Sequence, residues 1–200
     1  LVITLLLVFL VVYVFLQDFR STLIPMIAVP VALIGTFLFL WLFGFSINLL
    51  VLSALLLAIA IVVDDAIVVV EAVHAKLDQG YKSALEASID AMNEITGAII
   101  SITLVMAAVF VPVSFMGGTS GMFYRVFGVT MAVSILISAL NALTLSPALC
   151  AILLKPHAGD EEHKKMSVID RFHAAFHTQY NKIPGKYRNG VEQVLTHRIA

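Results

Sequence analysis

Residues 44–72 read GFSINLLVLSALLLAIAIVVDDAIVVVEA and contain the pattern from which the architecture follows. The residues from Gly44 to Asn48 favour a turn. After them the chain carries no charge until Asp64 and Asp65, which indicates an apolar helix deep enough to enter a bilayer. The whole chain agrees, because 60% of its 200 residues belong to the AVILMFWYC set and only 12% are charged. The composition places the chain in a bilayer, and the long apolar runs predict an all-α membrane protein.

Five apolar stretches predict about five transmembrane helices, at residues 1–16, 23–43, 47–73, 92–115 and 125–153. None of these stretches shows the period-2 alternation of a membrane β-strand. The first is shorter than the roughly 20 residues that span a bilayer. We therefore expect it to be a truncated helix, and we expect the chain to be part of a longer protein.

The basic residues predict the orientation of the spans. If successive spans alternate in direction, one side of the membrane receives nearly all the lysines and arginines of these segments: Arg20, Lys76, Lys82, Lys155, Lys164, Lys165 and Arg171. The other side receives Arg125 alone. The positive-inside rule makes the first side cytoplasmic.

The remaining polar segments are all expected on the cytoplasmic side. Residues 74–91 form a short polar link, and residues 155–166 form a charged linker. Residues 167–200 contain a cytoplasmic amphipathic helix, with Phe172 and Phe176 on its apolar face, and lead into a missing second half. This helix either lies in the membrane interface or packs against the rest of a larger protein.

Several classes of function are excluded by what the chain lacks. It has no basic stripe with which to neutralise the phosphates of a nucleic acid. Its single cysteine, Cys150, rules out an internal disulfide and a cysteine zinc site. His173 and His177 have helical spacing, but no HExxH motif and no third ligand accompany them. We therefore expect neither a metal site nor a cofactor.

Asp64 and Asp65 are the candidate functional residues. They lie roughly 24 Å along the helix from Asn48, at 1.5 Å per residue. A single carboxylate deep in a bilayer costs roughly 2.5–3.5 kcal/mol, and two adjacent ones also repel each other when both are ionised. Ionisable residues at such depth usually serve a function. The alternative is a pair of acids that only fixes helix packing.

Helical periodicity places the two acids on neighbouring stripes. One stripe is Ser53, Ala60, Asp64 and Glu71, and the other is Ala54, Ala58, Ile61, Asp65 and Ala72. Because small residues allow close helix approach, we expect both stripes to face protein and the Val- and Leu-rich remainder to face lipid. No Lys or Arg lies at matching depth, so the counter-charge comes from helices outside this chain, or the pair is partly protonated.

Four segments carry a resemblance to a known family. Residues 44–72 resemble the signature of the resistance–nodulation–division (RND) multidrug efflux pumps. FLQDFRSTLIPMIAVPVALIGTF (15–37), AVFVPVSFMGGTSGMFYRVFGVT (108–130) and LTLSPALCAILLKP (143–156) resemble further family segments in the expected order. The double Asp resembles the hydrophobe/amphiphile branch, whereas the heavy-metal branch usually has a single Asp there.

This resemblance implies a secondary active transporter of the bacterial inner membrane that exchanges protons for drugs, and no enzymatic activity. It implies that Asp64 and Asp65 form a proton relay whose pairing with a lysine in the second half depends on protonation. Glu71 is a possible secondary relay residue, or a cap or surface ion pair. The resemblance also implies a homotrimer, a periplasmic adaptor, an outer-membrane channel, and hydrophobic or amphiphilic small-molecule substrates.

Other functions remain as alternatives. One is a non-drug member of the same superfamily, such as a protein-export accessory or a lipid-handling protein, and another is the heavy-metal efflux branch. An intramembrane aspartyl protease needs two carboxylates from separate helices around a water molecule. Asp64 and Asp65 instead diverge by 100° on one helix, which argues against that chemistry.

Overall fold

The computed structural model describes residues 2–16, 18–118 and 120–155. Their regular structure consists of six helices: α1 (Val2–Leu16), α2 (Phe19–Leu42), α3 (Leu49–Asp78), α4 (Ala84–Val113), α5 (Gly121–Leu143) and α6 (Leu145–Leu153). Four segments are long and apolar enough to cross a membrane, namely α2, α3, α4 and the stretch Gly121–Leu153, while α1 is apolar but shorter. The prediction of an all-α membrane protein is confirmed.

The helices continue beyond the predicted spans. Helix α3 ends at Asp78 and α4 begins at Ala84, so residues 79–83 are all that remains of the predicted 74–91 link as a loop. Hydropathy marks where a chain leaves hydrocarbon, whereas a helix continues through polar residues until a cap or a turn stops it. At the other end of α3 the Asn48 side chain caps the helix, because its Oδ1 accepts a hydrogen bond from the Val51 N–H at 2.9 Å.

The last predicted span, 125–153, is interrupted. Helix α5 ends at Leu143, and Thr144 has φ −123° and ψ −62°, outside the helical range, before α6 begins. Pro147 has no N–H with which to bond the carbonyl of Leu143 four residues earlier, and its ring crowds that carbonyl. The break therefore lies one turn before the proline.

Helix α3 is the central element of the bundle and packs against α2, α4, α5 and α6. Its buried side chains are largely the branched apolar ones, including Val51, Leu55, Ile59, Val69 and Val70. The expectation that the Val- and Leu-rich side of α3 faces lipid is therefore wrong for most of these side chains, although Leu56, Leu57 and Val68 are exposed. Lipid tails are as apolar as these side chains, so hydrophobicity alone does not separate a lipid-facing side from a protein-facing side.

Small residues allow α5 to approach its neighbours closely. A Cβ atom added to Gly128 on α5 would lie 2.9 Å from Oγ of Ser114 and 3.1 Å from the carbonyl oxygen of Phe110, both at the end of α4. Ala54 and Ala58 of α3 are likewise buried, in a cluster with Met131 and Ile135 of α5. These contacts set the position of α5 beside the acidic residues of α3.

Part of the sequence prediction concerns residues outside the described ranges. These are the linker 155–166 beyond Lys155, the amphipathic helix within 167–200, and the two histidines His173 and His177.

Candidate functional site: an acidic pair on helix α3

Asp64 and Asp65 lie near the middle of α3 and point to different surroundings. Adjacent residues on a helix are separated by 100°, so the two carboxylates cannot share one environment. Asp65 is half-buried and accepts a hydrogen bond from the hydroxyl of Ser138 on α5. Asp64 is exposed and lies on a groove between α1 and α3. One helix therefore presents one held carboxylate and one open carboxylate.

The stripe that carries Asp65 packs against protein, as the sequence predicted. Ala54 is fully buried and Ala58 is 2% exposed, and both pack with side chains of α5. Because these alanines are small, α5 comes close enough for a short side chain such as serine to reach the carboxylate. The alanine stripe and the Ser138 bond thus belong to one arrangement.

Ser138 is a site residue that the sequence reasoning missed. It is 1% exposed, and it is the last of three buried hydroxyl residues that recur every fourth position along α5, after Thr130 and Ser134. The hydroxyls of Thr130 and Ser134 donate to the carbonyls of Val126 and Thr130, each at 2.8 Å, whereas that of Ser138 donates to Asp65. Hydroxyl residues at i, i+4 and i+8 in an apolar helix were the signal that could have indicated this face.

The stripe that carries Asp64 lies open along the groove. Ser53, Ala60, Asp64 and Glu71 are all exposed in the described residues. The groove has a volume of about 380 Å³, and Leu7, Val11 and Phe15 of α1 form much of its opposite wall. Asp64 and Glu71 are the two acids in an otherwise apolar lining. The geometry brings the primary and the possible secondary relay residue to one surface.

The ion pairs of the described ranges lie elsewhere, where α3 meets α4. Nζ of Lys76 lies 2.7 Å from Oδ2 of Asp90 and also pairs with Glu94. The Tyr81 hydroxyl donates to the same Asp90 oxygen at 2.7 Å, and this bond raises the pKa of the Tyr81 phenol. This cluster fastens the loop between α3 and α4. Within the described ranges, neither Asp64 nor Asp65 forms an ion pair.

No group of three or more His, Cys, Asp or Glu side chains in the described part of the chain is arranged to hold a metal ion.

Comparison with known proteins places this arrangement in a family. The family model described as AcrB/AcrD/AcrF matches residues 1–200. The chain is 45% identical over 189 residues to the multidrug export protein AcrF of Escherichia coli, covering 94% of this chain and 18% of that protein. It is 43% identical over 192 residues to the toluene efflux pump membrane transporter TtgE of Pseudomonas putida, covering 96% of this chain and 18% of that protein.

The chain thus spans 18% of the length of each of these two curated relatives. The family match, by contrast, extends over the whole chain, and the membrane-length helices agree with it. The chain belongs to the AcrB/AcrD/AcrF family, the inner-membrane subunits of resistance–nodulation–division multidrug efflux systems, and is a multi-pass protein of the bacterial inner membrane.

Proposed function

We propose that this chain is part of a proton-coupled efflux transporter and that Asp64 and Asp65 are its proton relay. The observation that carries the proposal is the different environment of the two acids on α3. Asp65 accepts a hydrogen bond from Ser138, whereas Asp64 lies open on the groove. Relatives described as a multidrug export protein and a toluene efflux pump support efflux as the activity. A secondary active transporter, rather than an enzyme, is the interpretation that these descriptions favour.

The relay would act through the change in charge of the two carboxylates. An ionised Asp65 can only accept a hydrogen bond, as it does from Ser138, whereas a protonated carboxyl group can also donate one. Proton binding therefore changes which hydrogen bonds can join α3 to α5. An ionised Asp64 attracts a cation across the groove, and a neutral one does not. The lysine that the family resemblance implies would come from outside this chain.

The packing of α3 would convert this local event into a larger movement. Helix α3 contacts four other helices, so a change in its preferred position is transmitted to much of the bundle. One proton that crosses a membrane potential of 100 mV supplies about 2.3 kcal/mol. That is comparable with the cost of one buried carboxylate, so protons can drive such a switch.

The rest of the assembly follows from the family resemblance and forms part of the same proposal. Protons are the coupling ion, and no other cofactor is involved. The substrates are hydrophobic or amphiphilic small molecules, and the full-length subunit works as a homotrimer with a periplasmic adaptor and an outer-membrane channel. The descriptions of the relatives as multidrug and toluene transporters favour this over the metal-efflux and non-drug alternatives.

The experiment measures dye efflux driven by a proton gradient in the full-length transporter that carries this segment. Asp64→Asn and Asp65→Asn preserve volume but remove the titrating charge, so both variants should insert normally and lose efflux. Asp65→Glu should be intermediate, because it keeps the charge and displaces it by one methylene. Asp78→Asn, at the exposed end of the same helix, is the matched control and should retain efflux.

The double variant Asp64→Asn/Asp65→Asn gives the decisive result. Full proton-driven efflux at normal membrane levels of this protein would show that the pair has only a packing role.

A further inference from the structure

The end of α3 far from Asn48 is tied to α2 by a short chain of hydrogen bonds. Nε2 of His74 lies 2.6 Å from Oγ of Ser21, and this hydroxyl donates to Oδ2 of Asp18, also at 2.6 Å. Ser21 is fully buried, so water does not compete for these bonds. Because Ser21 gives its single hydroxyl hydrogen to Asp18, the hydrogen between Ser21 and His74 must come from Nε2 of the ring.

This arrangement fixes which ring nitrogen is available for proton exchange. Nε2 is occupied as a donor to Ser21. Nδ1 has no hydrogen-bond partner among the residues that the structure describes, and His74 is half-buried rather than enclosed. Nδ1 is therefore the ring nitrogen with a free lone pair, while Nε2 anchors the ring to Ser21.

Asp18 supplies a fixed negative charge at the end of the chain. Burial alone would favour the neutral carboxyl of Asp18. Its pKa is nevertheless held below the ordinary value by hydrogen bonds from the Ser21 side chain, the Ser21 N–H and the Arg20 N–H, and by the attraction of His74. Asp18 is therefore ionised at neutral pH. Its charge acts on the ring through the Ser21 hydroxyl.

The charged groups around the ring come from two helices. Asp18 approaches from the start of α2, where Arg20 is exposed. On α3 itself, Glu71 and Asp78 are three and four residues from His74, a spacing that places side chains on the same side of a helix. The nearest lysine along α3, Lys76, is engaged by the two carboxylates of α4.

In the sequence, the hydrogen-bonded residues stand close to two residues that line the groove of Asp64. Leu16 and Glu71 both line the groove, Asp18 follows Leu16 by two residues, and His74 follows Glu71 by three. At 1.5 Å per residue, Glu71 lies about 10 Å and His74 about 15 Å along α3 from Asp64.

We propose that His74 releases the relay proton on the predicted cytoplasmic side, with Ser21 and Asp18 as its positioning residues; this rests on the proposed function of the acidic pair. The proton that leaves Asp64 passes through water in the groove to the carboxylate of Glu71, which in turn releases it through water to the lone pair on Nδ1 of His74. The ring then carries a proton on each nitrogen. The Nδ1 proton passes to water, and the Nε2 hydrogen stays bonded to Ser21 throughout.

The test uses the full-length transporter in liposomes with a fixed pH on each side. His74→Ala should lower the maximal transport rate about tenfold or more, because a positioned proton carrier contributes at least that much, while the half-saturating substrate concentration stays unchanged. Imidazole added on the side of the 79–83 loop should restore the rate, because it replaces the missing ring. Asp18→Asn and Ser21→Ala should lower the rate by less, since the ring remains.

Glu86→Gln, on an exposed first-turn position of α4, is the control and should transport normally. A His74→Ala rate equal to that of this control, or a loss of rate that imidazole does not restore, would overturn the assignment of His74. The Asp64→Asn/Asp65→Asn variant is measured in parallel. If it is inactive while His74→Ala is active, only the assignment of His74 fails; if it transports normally, the proposed function itself fails.

Discussion

The hydrogen bond between Ser138 and Asp65 can be tested by a double-mutant cycle. Ser138→Ala removes the hydroxyl that donates to Asp65 and deletes a single atom, so the cavity it leaves is small. Because Ser138 is 1% exposed, water does not replace the lost donor. Asp65→Ala removes the acceptor without offering a new one, which is what an interpretable cycle requires.

The expected coupling follows from where the bond lies. Hydrogen bonds between transmembrane helices contribute about 0.6 kcal/mol on average and at most about 1.7. Hydrogen bonds to charged groups contribute about 1.5–3 kcal/mol. For a serine that bonds a half-buried carboxylate we expect a coupling energy of about 1–2 kcal/mol. Ser138→Ala should therefore destabilise the parent protein clearly and the Asp65→Ala protein hardly at all.

The measurement is unfolding of the full-length protein by denaturing detergent, followed by circular dichroism for the parent, both single variants and the double variant. Ser101→Ala is the matched control, because the exposed Ser101 hydroxyl donates to the carbonyl of Gly97 on its own helix. Its coupling with Asp65→Ala should be near zero. A Ser138–Asp65 coupling below about 0.3 kcal/mol, within ordinary additivity, would refute the reasoning.

Three further outcomes can be measured by the same unfolding assay. Lys76→Ala leaves two carboxylates of α4 one turn apart without their cation, so it should destabilise the protein more than Lys82→Ala does, and the difference should shrink in high salt. Gly128→Ala should destabilise the protein, because the added Cβ meets the end of α4. Gly97→Ala has open space around it and should stabilise the protein by about 0.5–1 kcal/mol. The reverse order of stabilities would contradict the close α4–α5 contact. Asp18→Ala should lower the free energy of unfolding by about 0.5–2 kcal/mol at pH 7, because α2 loses its cap. Since the folded-state pKa of Asp18 is lowered, this contribution is complete above the unfolded pKa near 3.9 and disappears as the pH falls through the folded pKa. A cost that does not depend on pH would be inconsistent with this reasoning.

Hydropathy and turn residues were sufficient to predict the all-α class and the order of the apolar segments, but not the break at Thr144. The turn at Gly44–Asn48 was predicted because glycine, serine and asparagine interrupt an apolar run, and in the structure Gly44 has φ +72° while Asn48 caps α3. Periodicity also placed Asp64 and Asp65 on neighbouring but distinct faces, and the structure gives those faces different surroundings. These features depend on residues that are close together in the sequence, so they can be predicted from the sequence alone.

Which face of an apolar helix meets protein could not be read from apolar character. Val69 and Val70 are fully buried although they resemble lipid-facing residues, because the bilayer and the protein interior are equally apolar. The Ser138 bond and the Lys76 cluster join residues that are 73 and 14 to 18 positions apart. Such contacts depend on how the helices pack, and periodicity within one helix carries no information about its neighbour.

The adjacency of Asp64 and Asp65 has a physical consequence that a single acid would not provide. Two neighbouring carboxylates repel each other when both are ionised, so the charge of one affects the proton affinity of the other. Their 100° divergence means that Asp65 contacts α5 through Ser138 while Asp64 faces the groove. Under the proposed function, a change in the protonation of Asp64 on the groove side therefore changes the hydrogen bond that Asp65 forms with Ser138 of α5. Proton exchange at one residue of α3 is then coupled to helix packing at the next residue.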